Sequence, residues 1–114
     1  MHYRDLIVWQ KSMDLVVAIY AYTKDFPVAE QYGLTSQMRR AAISIPSNIT
    51  EGSRRRGKDN RNFLIIAYGS GAELETQCEA GRRLRFGDSK KLERAESLLS
   101  EIMRMLNTMV NKET

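Results

Sequence analysis

The stretch Gln37-Met38-Arg39-Arg40-Ala41-Ala42-Ile43-Ser44-Ile45-Pro46-Ser47-Asn48-Ile49-Thr50-Glu51-Gly52 decides how many elements this chain has. Met38, Ala42, Ile45 and Ile49 recur at three- and four-residue steps, with Ala41 beside them. That spacing lines one face of a helix. Pro46 falls inside the pattern. A proline there removes a backbone donor and crowds the carbonyl four residues back, at ~3 kcal/mol in a helix interior. The alternative to one helix is two short ones broken near Ile45. Because the periodicity continues to Ile49, the segment reads as one helix from Ser36 to about Ser53, kinked at Pro46. Leu34-Thr35 reads as a hydrophobic residue followed by an N-cap.

Upstream, Asp5 to Lys24 reads as a helix ended by Phe26-Pro27. It carries two apolar stripes: Leu6, Trp9, Met13, Val16 and Tyr20, then Val8, Leu15, Ile19 and Tyr22. One stripe fills a bundle core. Downstream, Gly52 to Asn60 is the most polar connection, and Asp59 or Asn60 caps a third helix that runs to about Leu84. Its face is Phe63, Ala67, Gly71, Leu74, Cys78 and Gly81, small enough for a close helix neighbour. Gly69, Gly71 and Gly81 each cost about 1 kcal/mol of helix propensity, which close packing offsets. Asp88 or Ser89 caps a fourth helix ending near Asn111, with Leu92, Ala95, Leu99, Ile102, Leu106 and Met109 as a regular seam. The fold expected is all-α, an antiparallel up-down four-helix bundle, one domain over residues 1–114. The first and fourth helices carry more apolar surface than one core needs. Val8, Leu15, Ile19 and Tyr22, with Leu98 and Met105, are therefore assigned to an interface between copies; a wider core is the alternative.

Composition narrows the functions. The single Cys78 forms no intramolecular disulfide, and no leader segment or apolar run of ~20 residues is present, so the expectation is a cytoplasmic protein without membrane contact. His2 is the only histidine, and Glu-x-x-His pairs are absent, so no metal and no cofactor are expected. Neither a phosphate loop nor a Ser/His or Cys/His arrangement occurs, and no catalytic residue is assigned.

Net charge is +4, and its placement matters more than its sum. Arg39 to Arg61 holds seven positive and two negative residues; Arg82 to Arg94 holds six and two. In an up-down bundle Arg54, Arg55, Arg56, Lys58 and Arg61 fall at one end. Arg39, Arg40, Arg82, Arg83, Arg85, Lys90, Lys91 and Arg94 fall at the other. These are the candidate phosphate contacts, repeated around two rims if the chain forms a ring. Few aromatics flank them, Phe63 near one and Phe86 near the other, which gives little support to base stacking. A polar set, Ser44, Asn48 and Glu51 facing Ser70, Glu73 and Gln77, reads as an interhelical network that fixes register and compensates for Pro46. An acid pair of Glu51 and Glu73 is the competing reading, without a nucleophile or metal ligand to accompany it.

Three segments together carry a resemblance: Leu6 to Gln10, Gln37 to Gly52, and Ala67 to Gln77. The chain resembles the four-helix-bundle proteins encoded in intervening sequences of bacterial 23S ribosomal RNA genes, over nearly its whole length. Thr50 stands where that pattern has alanine, a minor packing change. The resemblance implies an up-down bundle assembling as a ring-like homopentamer. It also implies kinship with accessory proteins of diversity-generating retroelements, similar bundles that bind nucleic acid and a reverse transcriptase. The expectation is a non-enzymatic oligomer binding RNA or DNA through basic residues at its ends. The alternative is a ring-shaped scaffold docking a protein partner such as a polymerase or ribosomal component.

Overall fold

The second helix runs unbroken through Pro46. In the computed structural model, which describes residues 2–55 and 58–112 apart from the Lys58 side chain, four helices follow one another: α1 (Ile7–Thr23), α2 (Leu34–Arg54), α3 (Lys58–Leu84) and α4 (Ser89–Lys112). Short 3-10 turns cover Tyr3–Asp5 and Val28–Glu30. Met38, Ala41, Ala42, Ile45 and Ile49 of α2 are all buried, as their spacing requires. That burial, at roughly 1.5–3 kcal/mol for each large apolar side chain, outweighs the cost of one interior proline.

α1 packs on α2 and α4, and α3 packs on the same two. Among the described residues the diagonal pairs, α1 with α3 and α2 with α4, make no close backbone approach. The result is an up-down four-helix bundle of 43 × 23 × 22 Å. Leu92, Ala95, Leu99, Ile102 and Leu106 of α4 form the buried seam, joined by Met103. On α3 the buried positions are Leu64, Ala67, Leu74, Gln77 and Cys78, with Gly71 and Gly81. Leu64 takes the place expected for Phe63, which is only half-buried. Small residues on this face do admit neighbours closely. A Cβ on Gly71 would collide with the Met103 sulfur, and one on Gly81 would stand 2.5 Å from the Tyr22 hydroxyl.

The rotation of α1 corrects the assignment of its two stripes. Val8, Leu15, Ile19 and Tyr22, expected at an interface between copies, are buried in the bundle's own core. Met13 and Tyr20 of the other stripe are exposed, and Trp9 and Val16 are partly buried. Leu98 and Met105 of α4 are also partly buried against the core. Both stripes of α1 have helical spacing, so periodicity alone does not say which one turns inward; the aromatic seat of Tyr22 does. Its ring meets Phe26 edge-on at 4.8 Å and lies against Gly81 and Gly87.

Helix ends differ from expectation in two places. α2 begins at Leu34, not after a Thr35 cap, because Glu30 in the preceding 3-10 turn supplies the acceptor: the Leu34 N–H donates to its carboxylate at 3.1 Å. α3 starts at Lys58, so Asp59 and Asn60 lie inside its first turn. The α4 cap is as expected, with the Lys91 N–H donating to the Asp88 carboxylate at 3.1 Å. α3 closes in a Schellman arrangement, the Phe86 N–H donating to the Gly81 carbonyl at 3.0 Å and the Arg85 N–H to Arg82 at 3.1 Å. Arg85 holds the left-handed position of that motif, φ 59°, where glycine is at home. Arg85→Gly is therefore expected to raise the free energy of unfolding by about 1 kcal/mol, read as a higher urea midpoint.

Candidate nucleic-acid interface

The up-down path brings the start of the chain to the end of α2, and this puts aromatics among the cations. Tyr3 lies in the 3-10 turn before α1. The Arg4 guanidinium is 5.8 Å from its ring centroid and that of Arg54, at the far end of α2, is 5.6 Å away. Arg4, and less strongly Arg54, hold the Tyr3 hydroxyl below the usual phenol range. His2 stacks on Tyr3, centroids 4.5 Å apart, and Trp9 meets Tyr3 edge-on at 5.3 Å. Arg4, Tyr3 and Trp9 were missed as site residues because 45 to 51 positions separate them from Arg54 in sequence. The topology was the signal: in an up-down bundle the start of the first helix and the end of the second share one end.

The rest of this end is partly engaged. Arg55 pairs with Glu51 at 3.7 Å and Asp59 at 3.9 Å and covers the Phe63 ring at 5.3 Å. Arg61 donates to the Val110 carbonyl at 3.3 Å, closing the last turns of α4. Exposed pairs of the Arg55 kind are worth ~0–1 kcal/mol and yield to a phosphate. Arg56 and the Lys58 side chain lie outside the described residues.

At the opposite end three of the eight assigned cations, Arg82, Arg83 and Lys91, are held by carboxylates. Arg82 pairs with Glu79 and Glu96, Arg83 with Glu79 at 2.9 Å, and Lys91 with Asp25 at 3.2 Å. The two arginines, Arg83 foremost, hold the Glu79 carboxyl below its ordinary value. Arg39 donates to the Thr23 hydroxyl at 2.9 Å and lies over the Tyr20 ring at 4.3 Å. Arg40, Arg85, Lys90 and Arg94 have no carboxylate partner among the described residues. A cavity of about 510 Å³ at the α3–α4 turn mixes Arg82 and Arg85 with Asp88 and Glu93.

The polar set between α2 and α3 is brought together in part. The Ser44 and Ser70 hydroxyls are 2.8 Å apart, and the Asn48 amide donates to the Ser44 carbonyl and hydroxyl at 2.8 and 3.0 Å. Gln77 donates to Glu73 at 3.1 Å. Glu51 stands outside the set: it is exposed at the outer edge of α2 and reaches Arg55 instead. The Asn48 amide also misses the Ala42 carbonyl, the acceptor that Pro46 leaves without its donor, so the set links α2 to α3 through Ser44 and Ser70 without repairing the proline's gap. Among the described residues no three His, Cys, Asp or Glu side chains converge as a metal site would need, and no helix is long and apolar enough to cross a membrane.

The model of the family described as 23S rRNA-intervening sequence protein matches residues 4–108. The chain belongs to that family. A crystal structure from Bacteroides thetaiotaomicron VPI-5482, described as a protein with unknown function from the S23 ribosomal protein family, superposes with a TM-score of 0.80. The two sequences are 24% identical, and the match covers 91% of this chain and 98% of that one. No curated protein matches the chain at a significant level. The solved structure shares the helical-bundle fold.

Two buried acids make the fold sensitive to alkali. Burial, with Glu96 next, pushes the Cys78 thiol from 9.0 up to about 12. Burial, with Cys78 next, pushes the Tyr22 phenol from 10.0 up to about 12. The folded state favours both neutral forms, so this stability is complete below pH 9 and is lost as the pH climbs toward 12. The melting temperature should stay level to about pH 9 and then fall, and Cys78→Ala should make that fall shallower, as followed by circular dichroism.

Proposed function

We propose that this protein is a non-enzymatic, cytoplasmic homo-oligomer that binds single-stranded RNA or DNA at the end of the bundle where Tyr3 sits between Arg4 and Arg54. The observation that carries this reading is the joining of a stacked aromatic pair to cations without a carboxylate partner among the described residues. Bases stack on aromatic faces whatever their sequence, while arginine holds the phosphates between them. Membership in the 23S rRNA-intervening sequence protein family supports a setting close to RNA. A ring of five, as the family resemblance implies, would repeat the Tyr3 site around one rim and strengthen binding through several weak contacts to one strand. Nothing in the bundle recommends a base-reading helix, so the affinity proposed is for strand and charge, not for sequence.

A second reading, a ring-shaped scaffold for a protein partner such as a polymerase or ribosomal component, draws on Val28 and Tyr32. These stand 86% and 90% exposed on the α1–α2 connection, far from Tyr3.

One titration separates the two. Fluorescence anisotropy with short single-stranded RNA, single-stranded DNA and duplex DNA, across a salt series, should show tighter binding to the single strands with a steep negative salt slope. Tyr3→Ala should weaken that binding by about tenfold, within the range of ~1–3 kcal/mol for one stacked base. Arg54→Ala should also weaken it and flatten the salt slope by ~0.7 for each phosphate the arginine no longer neutralises. Arg83→Ala, at the opposite end and held by Glu79, should change neither. No binding at low salt, or binding unaffected by both Tyr3→Ala and Arg54→Ala, would overturn the proposal.

A further inference from the structure

The arginine–tyrosine pair at Tyr3 has a counterpart at the other end of the same two helices. Arg39 of α2 lies 4.3 Å from the Tyr20 ring of α1, as Arg54 of α2 lies 5.6 Å from the ring of Tyr3 before α1. Beside that second pair Arg40 is exposed and has no carboxylate partner among the described residues. Between the two pairs runs a groove of about 390 Å³, walled by Trp9, Met13, Val16, Ile43 and Pro46, with Tyr3 at its edge. Ile43 also lines the next depression, of about 360 Å³, together with Tyr20, Tyr32, Arg39 and Arg40. The two depressions meet at Ile43 and make one furrow along the α1–α2 face, with an arginine–tyrosine pair at each end.

Charge sets this furrow apart from the other depressions. The one on the α1–α4 side includes Asp14, the one on the α2–α3 side includes Glu73, and the cavity at the α3–α4 turn includes Asp88 and Glu93. Neither depression between α1 and α2 has an acidic wall residue. The acids nearest along the chain are Asp5, beside the Tyr3 end, Glu51, which pairs with Arg55 at 3.7 Å, and Glu30, whose carboxylate accepts from the Leu34 N–H. Phosphates are repelled by a carboxylate wall and drawn to arginine, and bases stack on aromatic rings whatever their sequence. Arg40 and Arg54 stand 14 residues apart on α2, ~21 Å at the α-helical rise. That distance is about six steps of a stacked strand at ~3.4 Å each. An apolar segment of a protein would fill the middle of the furrow but leave the arginines at both ends without opposite charge.

We infer that a single strand lies along this furrow, from Tyr3 and Arg54 at one end to Tyr20 and Arg40 at the other. Its bases rest on the apolar wall at Trp9 and beside the two tyrosines, and its phosphates face Arg54 and Arg40. The inference rests on the strand-binding reading above and extends it from one end of the bundle to a site of about seven nucleotides. It selects Arg40 among the cations of the far end. Arg94, on the α1–α4 side with Asp14, and Arg83, held by Glu79, fall outside the site.

The test is a length series of oligouridines titrated against the full chain. Trp9 is the only tryptophan, so its emission reports on the groove. Affinity should rise with length to about seven nucleotides and then level off, and bound strands should quench Trp9. Arg40→Ala should weaken strands of that length about fivefold and flatten their salt slope by ~0.7, while Arg94→Ala should leave both unchanged. Ile43→Glu puts a carboxylate where the two depressions meet, on a side chain already 42% exposed. It should make affinity level off at about three nucleotides. If that variant lost its far-UV helical signal, Ser47→Glu, at an exposed position of the same groove, would replace it. A native chain whose affinity levels off at about three nucleotides, or long-strand binding left intact by both Arg40→Ala and the groove carboxylate, would overturn the inference while the Tyr3 site stood. Trp9 emission unchanged by strands that bind would give the groove to another occupant, a second copy or a protein partner, and would overturn it as well. A native chain that binds no strand of any length would overturn the strand-binding reading together with this one.

Discussion

The ring of Tyr22 is the part on which the rest of this bundle turns. It is fully buried, and its hydroxyl has no hydrogen-bond partner among the described residues. It occupies space that any side chain at position 81 or 87 would contest: a Cβ on Gly87 would lie 2.7 Å from the ring. Two glycines on the α3–α4 hairpin thus form a slot for one aromatic of α1. A buried hydroxyl without a partner is expensive, on the order of 1–3 kcal/mol. The area of the ring and its edge contact with Phe26 offset that cost.

Seating Tyr22 fixes how α1 is rotated, and that rotation sets the surface. Leu15 and Ile19 follow Tyr22 into the core, while Met13, Val17 and Tyr20 are turned out. The same register places the 3-10 turn against the end of α2, where Tyr3 meets Arg54. The proposed strand-binding end is therefore a consequence of one packing choice inside the molecule. Glu79, Glu96 and Asp25 engage Arg82, Arg83 and Lys91 at one end, and at the other Arg4 and Arg54 lie beside the Tyr3 ring without a carboxylate partner among the described residues.

The number, order and approximate bounds of the helices were legible in the sequence, because periods of three and four residues register burial directly. The α4 seam and the α2 face are the clearest cases. Continuity through Pro46 was legible for the same reason, since Ile49 keeps the phase. The choice between the stripes of α1 was not, because both are apolar at helical spacing and only the slot beside Gly81 and Gly87 distinguishes them. The basic residues could be sorted to ends from topology, but their partners could not. Glu79 sits within one helical turn of Arg82 and Arg83, yet Glu96 and Asp25 reach their cations only through the fold. The aromatic company of Arg54 was hidden by the length of chain between it and Tyr3.

The seat of Tyr22 is tested most directly by Gly81→Ala in two backgrounds, with unfolding followed in urea. In the native background the new methyl meets the Tyr22 hydroxyl, and stability should fall by about 1–3 kcal/mol, as overpacked cores do. In Tyr22→Phe the nearest remaining ring atom is 3.4 Å from that methyl, an ordinary contact. There the gain in helix propensity should leave Gly81→Ala neutral or stabilising by up to about 1 kcal/mol. A strong coupling between the two sites is the predicted result. The same loss in both backgrounds would contradict the account, because α1 would then owe its rotation to something other than this slot.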